Sequence, residues 1–140
     1  MSLIASKEIV SQEVAFSDLI TSQHAAIYSY GVIAANLTDP EPALDRLATH
    51  RRKRDELIVL AQQAGLAIAP AAAAYELPNP VSDGVTAIAC ATALEEGLCA
   101  HWSAAIPFLS SEAKLSQIAF VQDCAKRAFE WSGIAKAFYE

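Results

Sequence analysis

Basic side chains are scarce in this sequence: 10 lysines and arginines stand against 16 aspartates and glutamates, which gives a net charge of −6. The longest basic run has only four residues, Arg51 to Arg54. Nucleic-acid binding needs a basic surface large enough to neutralise several phosphates. We therefore expect no nucleic-acid partner.

The sequence also has few cysteines and no uninterrupted apolar stretch long enough to span a membrane. Two charge-free stretches reach the length of a membrane span, but polar residues interrupt residues 19–38, and Gly65 and Pro70 break residues 57–75. No signal-peptide pattern is visible at the N-terminus. The cysteines have no C-x-x-C spacing and lie in apolar stretches, which is typical of small buried residues in a reducing compartment. We expect a cytoplasmic protein that does not enter the membrane. The three cysteines are Cys90, Cys99 and Cys124.

Glycine is sparse as well, with five residues, whereas alanine occurs 29 times. Alanine is the best helix former, and the residues that favour strands are comparatively few. The composition thus predicts an all-α protein. Prolines and polar clusters divide the chain into four predicted helices within a single domain of residues 1–140. These helices are 6–37, 40–65, 83–106 and 111–138.

The segment between the second and third predicted helices, residues 66–81, decides the topology. Its 16 residues can extend to about 50 Å, whereas a 25-residue helix is about 37 Å long. It can therefore return the chain to the end where the second helix began, so that helices two and three run parallel. The other links are too short to join anything but antiparallel neighbours. We predict a ferritin-like four-helix bundle with up-down-down-up order and one long crossover.

Apolar residues at helical spacing predict which face of each helix is buried. In the fourth helix the predicted inward stripe comprises Leu115, Ile118, Gln122, Ala125 and Phe129. The end of this helix is apolar on more than one side, through Phe129, Trp131, Ile134, Ala135, Phe138 and Tyr139. We therefore hypothesise a homodimer whose twofold contact is formed by the fourth helix or by the small-residue surface of the first.

Several segments together resemble one known family. They are QHAAIYSYG at 23–31, HR and RDEL within 50–57, AYELPNPV at 74–81, and Leu94 with Glu95. From about residue 10 to 135 the chain resembles an alanine-rich actinobacterial family of ferritin-like domains of unknown function, most specifically in the Tyr-x-Leu-Pro-x-Pro crossover. The resemblance implies a ferritin-like fold and no established activity. Glu is common in that family where this chain has Gln23, which implies that one possible carboxylate is missing here.

Ferritin-like metal proteins hold two ions at mid-bundle, with one Glu from each of two helices and a Glu-x-x-His motif from each of the others. This sequence contains no Glu-x-x-His motif. Polar residues still fall near the middle of the four helices. In this layer two arginines of helix two, Arg51 and Arg54, can neutralise the carboxylates without a metal, so we predict a former metal site filled by ion pairs. The predicted layer comprises Gln23, His24, Tyr28, His50, Arg51, Arg54, Glu95, Asp123 and Arg127.

Two other interpretations of this layer stay open. One is a mononuclear iron or manganese site, recognised by its ligand count and geometry. The other is a small-molecule pocket between the helices. The metal site would use His24, His50, Glu95 and Asp123. The pocket would be lined by His24, Tyr28, Arg54, Glu95 and Trp102.

Two hypotheses about function follow from these patterns. The first is a non-catalytic binding or scaffold bundle without a cofactor. The second is a divergent iron- or manganese-dependent oxidoreductase, or an iron-binding protein, with a non-standard ligand set. The missing Glu-x-x-His motif favours the first hypothesis. The ligands of the second would come from His24, His50, Glu95, Glu96 and Asp123.

Overall fold

The computed structural model describes the backbone of residues 3–139 and the side chains of residue 7 and residues 10–134. A turn of 3₁₀ helix, Ile106–Phe108, links the last two long helices. Each helix bound lies within three residues of its predicted position, and the described residues contain no strand. The fold is an all-α four-helix bundle. Its helices are α1 (Leu3–Ala35), α2 (Glu41–Gln63), α3 (Gly84–Ala105) and α4 (Ser111–Tyr139).

The sequence at the end of α2 explains why the helix stops there. Gly65 has a φ of 70°, in the left-handed region that favours glycine. Its backbone N–H donates to the carbonyl of Gln62 at 3.0 Å, and that of Leu66 donates to the carbonyl of Ala61 at 2.9 Å. This is a Schellman motif, which satisfies the last carbonyls of the helix and turns the chain into the crossover.

The start of α3 is fixed by a capping box. The side chain of Asp83 accepts the backbone N–H of Thr86 at 2.8 Å, while the Thr86 hydroxyl accepts the backbone N–H of Asp83 at 3.1 Å. The hydrogen bonds from Thr86 hold the pKa of Asp83 below its ordinary value. The end of the crossover and the beginning of α3 are therefore defined by two side chains.

Contacts between helices give the direction of each one. The two short links make α1 antiparallel to α2, and α3 antiparallel to α4. The hydroxyl of Ser22 in α1 accepts a hydrogen bond from the indole of Trp102 in α3 at 3.3 Å. Further along α1, Tyr30 donates to Glu95, which comes before Trp102 in α3, at 2.7 Å. α1 and α3 are therefore antiparallel, which makes α2 and α3 parallel. The order is up-down-down-up.

The crossover, residues 64–83, runs along the outside of α1. Near its beginning the backbone N–H of Ala67 donates to the carboxylate of Glu13 at 3.2 Å. Further on, the ring of Tyr75 stacks on the ring of His24 with centroids 6.4 Å apart. The contacts thus advance along α1, and the crossover carries the chain back to the end of the bundle where α2 begins.

The prediction that the stripe from Leu115 to Phe129 of α4 faces the core is wrong. All residues of this stripe are exposed, and Leu115 and Phe129 keep 78% and 74% of their surface. We call these five residues the outer stripe. The opposite face of α4 enters the core, where Arg127 and Trp131 find hydrogen-bond partners. That buried face contains Gln117, Phe120, Cys124, Arg127 and Trp131.

Large apolar side chains from all four helices fill the rest of the core. Fully buried examples are Leu19, Ile20 and Ile33 of α1, Leu57 of α2 and Trp102 of α3. None of the helices in the described part of the chain has the length and apolar character needed to cross a membrane. Three side chains of the predicted dimer contact, Ala135, Phe138 and Tyr139, lie outside the described residues.

Candidate functional site

A polar network occupies the middle of the bundle, around the fully buried carboxylate of Glu95 in α3. Its Oε1 atom accepts hydrogen bonds from Tyr30 Oη at 2.7 Å, His50 Nε2 at 2.9 Å and Arg127 Nε at 3.1 Å. The three donors come from α1, α2 and α4, so one oxygen atom connects all four helices. The Glu95 network comprises Gln23, Tyr30, His50, Glu95, Arg127 and Trp131.

The imidazole of His50 uses both of its ring nitrogens within this network. Nε2 donates to Glu95, because an ionised carboxylate only accepts hydrogen bonds. Nδ1 lies 2.7 Å from Oε1 of Gln23. The Gln23 amide carries a donor and an acceptor, so it can satisfy Nδ1 in either protonation state. His50 therefore has no free lone pair with which to bind a metal ion.

Tyr30 connects the carboxylate to the end of the network. Its hydroxyl donates to Glu95 and accepts from the indole N–H of Trp131 at 3.0 Å. Its ring stacks on His50 with centroids 5.5 Å apart. Burial, followed by the negative charge of Glu95, raises the pKa of Tyr30 above its ordinary value. The hydroxyl therefore stays protonated and acts as a donor.

The ion pair between Glu95 and Arg127 sets the charge state of the site. Burial opposes ionisation of Glu95, but the hydrogen bond and charge of His50 and the charge of Arg127 outweigh it and lower the pKa of the carboxyl. Burial also disfavours the charged form of Arg127. The negative charge of Glu95 outweighs this effect of burial, so the pKa of the guanidinium is raised. Both groups are therefore charged at neutral pH.

Cys124 lies at the edge of the network, where it accepts a hydrogen bond from Arg127 Nη2 at 3.1 Å. Burial, followed by the charge of Glu95, raises the pKa of this thiol above its ordinary value. The thiolate is the nucleophilic form of cysteine. Cys124 therefore serves as a packed, weakly accepting group rather than as a nucleophile.

The expected partners of Glu95 in α2, Arg51 and Arg54, are not the ones found. Arg51 is exposed, and Arg54 pairs with the neighbouring Asp55 at 3.0 Å. The guanidinium that reaches Glu95 comes from α4, from Arg127. The buried residues of α2 after His50 are Lys53, Leu57 and Ala61, at steps of three, four and four, and neither arginine is among them.

Lys53 is the member of the basic run that points inward. Its side chain is buried, and its ammonium group lies 5.4 Å from the ring centroid of Trp102 and 5.0 Å from that of Phe120. It reaches Glu56 at the surface, with Nζ 3.1 Å from Oε2. Lys53 is thus held by cation–π contacts and a partly exposed ion pair.

The four residues of the predicted metal site do not come together. His50 and Glu95 are in contact, whereas His24 lies beneath the crossover and Asp123 is exposed. Burial and the charge of Arg54 lower the pKa of His24. Among the described residues, no group of three or more His, Cys, Asp or Glu side chains is placed to hold a metal, and Glu95 is the only buried carboxylate.

The predicted small-molecule pocket is not assembled either. His24 and Tyr28 face Tyr75 of the crossover, whereas Glu95 and Trp102 are fully buried in the interior. The cavities that open on the described surface include three with volumes of about 300, 280 and 360 Å³. Their linings contain no residue of the predicted pocket or of the Glu95 network.

Sequence reasoning brought Gln23, His50, Glu95 and Arg127 to one level but missed two members of the network. Tyr30 and Trp131 belong to apolar stripes, where an aromatic ring is expected to be ordinary core. A signal was nevertheless present. Tyr30 follows Gln23 by seven residues, and Trp131 follows Arg127 by four, so each shares a helix face with a polar member.

The network offers little that could perform chemistry. Its tyrosine is protonated, both nitrogens of its histidine are engaged, and its carboxylate is paired with a guanidinium. Two atoms are exceptions: Oε2 of Glu95 and Nε2 of Gln23 are buried and have no hydrogen-bond partner among the described residues. A buried polar atom without a partner is costly, so a small polar guest would gain a contact at either atom.

Comparisons with known proteins agree with this architecture. A family model described as a domain of unknown function, DUF4439, matches residues 15–138. A crystal structure of the conserved hypothetical protein rv2844 from Mycobacterium tuberculosis is similar, with a TM-score of 0.87 and 27% identity over 93% of this chain and 94% of that chain. No curated protein matches the chain. The four-helix arrangement is thus shared with a protein whose description names no activity.

Proposed function

This chain belongs to the DUF4439 family of domains of unknown function, and from its site we propose a non-catalytic binding or scaffold protein. The observation that carries this proposal is the placement of the Arg127 guanidinium 3.1 Å from Oε1 of Glu95. In ferritin-like metal proteins the carboxylates at mid-bundle bind cations, whereas here the mid-bundle carboxylate is paired with a guanidinium. The site is therefore filled by the protein's own charges.

Counting charges supports the same conclusion. The di-metal sites of ferritin-like bundles use about four inward carboxylates. Here the described residues supply one buried carboxylate, Glu95, and a neutral amide, Gln23, on the other side of His50. One carboxylate paired with one guanidinium leaves no net negative charge to attract a divalent ion.

The topology supports a wider proposal about the origin and setting of the protein. Up-down-down-up order with one long crossover is the arrangement of ferritin-like bundles, and we propose that this chain descends from them after losing the metal centre. The three cysteines carry free thiols, which suits a reducing cytoplasm. The exposed apolar residues of α4 suit a homodimer.

The rival function, a metal-dependent oxidoreductase or iron-binding protein, has one observation in its favour. Glu95 Oε2 is buried and has no partner among the described residues, and it lies on a residue that also contacts His50. A carboxylate and an imidazole suit iron or manganese. Such a site would require His50 to give up one of its two hydrogen bonds.

Iron titration separates the two functions. We expect purified protein to contain far less than one equivalent of iron or manganese, and to develop no oxo-bridged absorption band when ferrous iron is added under oxygen. The measurements are elemental analysis and ultraviolet–visible spectroscopy, with Glu95→Gln as the matched variant. The variant should have the same metal content as the wild type.

Stoichiometric iron in the wild type that disappears in Glu95→Gln would overturn the scaffold proposal and support the oxidoreductase. Iron that stays bound in both proteins would also contradict the scaffold proposal, and would place the metal away from Glu95. Glu95→Asp, which keeps the charge, checks that a loss of metal reflects the carboxylate and not a change in folding.

A further inference from the structure

The outer stripe of α4 is an apolar surface that the bundle itself does not use. Its residues repeat at alternating steps of three and four, which is the spacing of a coiled-coil seam. All five are exposed and none is charged. Four of the five are apolar, with the polar Gln122 at the centre, and an exposed apolar surface of this kind on a monomer indicates an interaction surface.

The stripe is symmetric about its central residue, Gln122. Leu115 lies seven residues before Gln122 and Phe129 lies seven residues after it, so each is about 10 Å away along the helix axis. If a second copy of α4 packs antiparallel with its own Gln122 opposite this one, the Leu115 of each copy lies level with the Phe129 of the other. The same contact is then made twice, as twofold symmetry requires.

The two ends of the stripe also have complementary shapes. Leu115 projects into solvent with 78% of its surface exposed. At the other end a cavity of about 360 Å³ opens between α3 and α4 and is lined in part by Cys99, Ala125 and Phe129. The antiparallel pairing brings the Leu115 side chain of one copy to this cavity in the other, as a knob meets a hole.

From these observations we propose that the outer stripe of α4 is the interface of a twofold homodimer, with the two α4 helices antiparallel and crossing at Gln122. The proposal names the contact surface of the homodimer put forward above and rests on that state. At the axis, the two Gln122 amides can bond each other, because each has a donor and an acceptor.

Light scattering coupled to size exclusion tests this interface, from micromolar to millimolar protein. We expect the wild type to have twice the mass of one chain. The double variant Leu115→Glu/Phe129→Glu should raise the dissociation constant at least about 100-fold, because two apolar contacts per copy are replaced by charges. Val59→Glu, at an exposed apolar position of α2, is the matched control and should dimerise as the wild type does.

The crossing of the two α4 helices at Gln122 is tested by Gln122→Cys. Under mild oxidation this variant should form a covalent dimer rapidly, whereas Val59→Cys should not. A wild type that stays monomeric at millimolar concentration would refute the dimer and its interface together. A dimer that survives the double variant, or in which Gln122→Cys fails to cross-link, would refute the interface alone. Neither result depends on the metal content, so the scaffold proposal is judged separately by the iron titration.

Discussion

Glu95 shows how the side chains of a bundle can stabilise a carboxylate in its core. Removing a carboxylate from water costs several kcal/mol, and attraction to a partner repays this only when the geometry is good. Glu95 meets that condition through three donors on one oxygen, of which Arg127 carries a full charge. The energy of the site therefore depends on the pairing, and each member is costly to remove alone.

Replacing Arg127 by methionine should be strongly destabilising. The variant leaves the Glu95 charge buried without its cation, and we expect the free energy of unfolding to fall by about 3–5 kcal/mol. The double variant Glu95→Gln/Arg127→Met removes both charges, so its loss should be smaller than the sum of the two single losses by about 1–3 kcal/mol. Urea unfolding followed by circular dichroism measures all four proteins.

Arg46→Met is the control for this cycle. Arg46 also pairs with a glutamate of α4, Glu130, at 2.6 Å, but both side chains are substantially exposed. Exposed ion pairs contribute only about 0–1 kcal/mol, so this variant should lose little stability. If the losses of the two single variants at the Glu95 site simply add, the pair is not coupled and the ion pair is not what retains Glu95 in the core.

At the scale of the helix, α4 shows where sequence patterning stops being sufficient. It carries two stripes with the same spacing on opposite faces, and the more apolar one was predicted to face the core. The structure buries the other, because Arg127 and Trp131 find partners there that a single helix does not reveal. Helix bounds and topology could be predicted because punctuation and loop length are local properties. The face of α4 depends on the other helices.

Gly65 gives a test of helix termination with a built-in control. Gly65→Ala should lower the free energy of unfolding by about 1–2 kcal/mol, because alanine resists the left-handed φ of 70°. No atom lies within 4 Å of a Cβ placed at Gly65, so backbone strain and not a clash is being measured. Thermal unfolding followed by circular dichroism reports the change.

Gly31→Ala makes the same chemical change inside α1, also where no atom lies within 4 Å of the new Cβ. Alanine is the better helix former, so this variant should gain about 0.5–1 kcal/mol. The two substitutions should therefore shift the melting temperature in opposite directions. Equal shifts for both would mean that Gly65 does not end α2 through its backbone conformation.

For the whole molecule, the Glu95 network means that four helices share one electrostatic contact. The crossover makes this possible, because it returns the chain so that α2 and α3 run parallel and present His50 and Glu95 at the same level. A layer assembled from all four helices fixes their relative heights, which apolar packing alone leaves less defined. Loss of the charge on Glu95 should accordingly loosen the entire bundle.

Acid titration tests this coupling. The folded state lowers the pKa of Glu95 below its ordinary value of 4.5, so the unfolded chain takes up this proton first as the pH falls. The stabilisation is complete above about pH 4.5 and is lost as the pH falls through the folded pKa.

Other carboxylates titrate in the same range, so the informative quantity is the difference in unfolding free energy between wild type and Glu95→Gln at one protein concentration. That difference should shrink on acidification, with amide protons of all four helices losing protection together. If it is constant from pH 7 to about pH 3, or if one helix opens before the others, Glu95 does not couple the bundle.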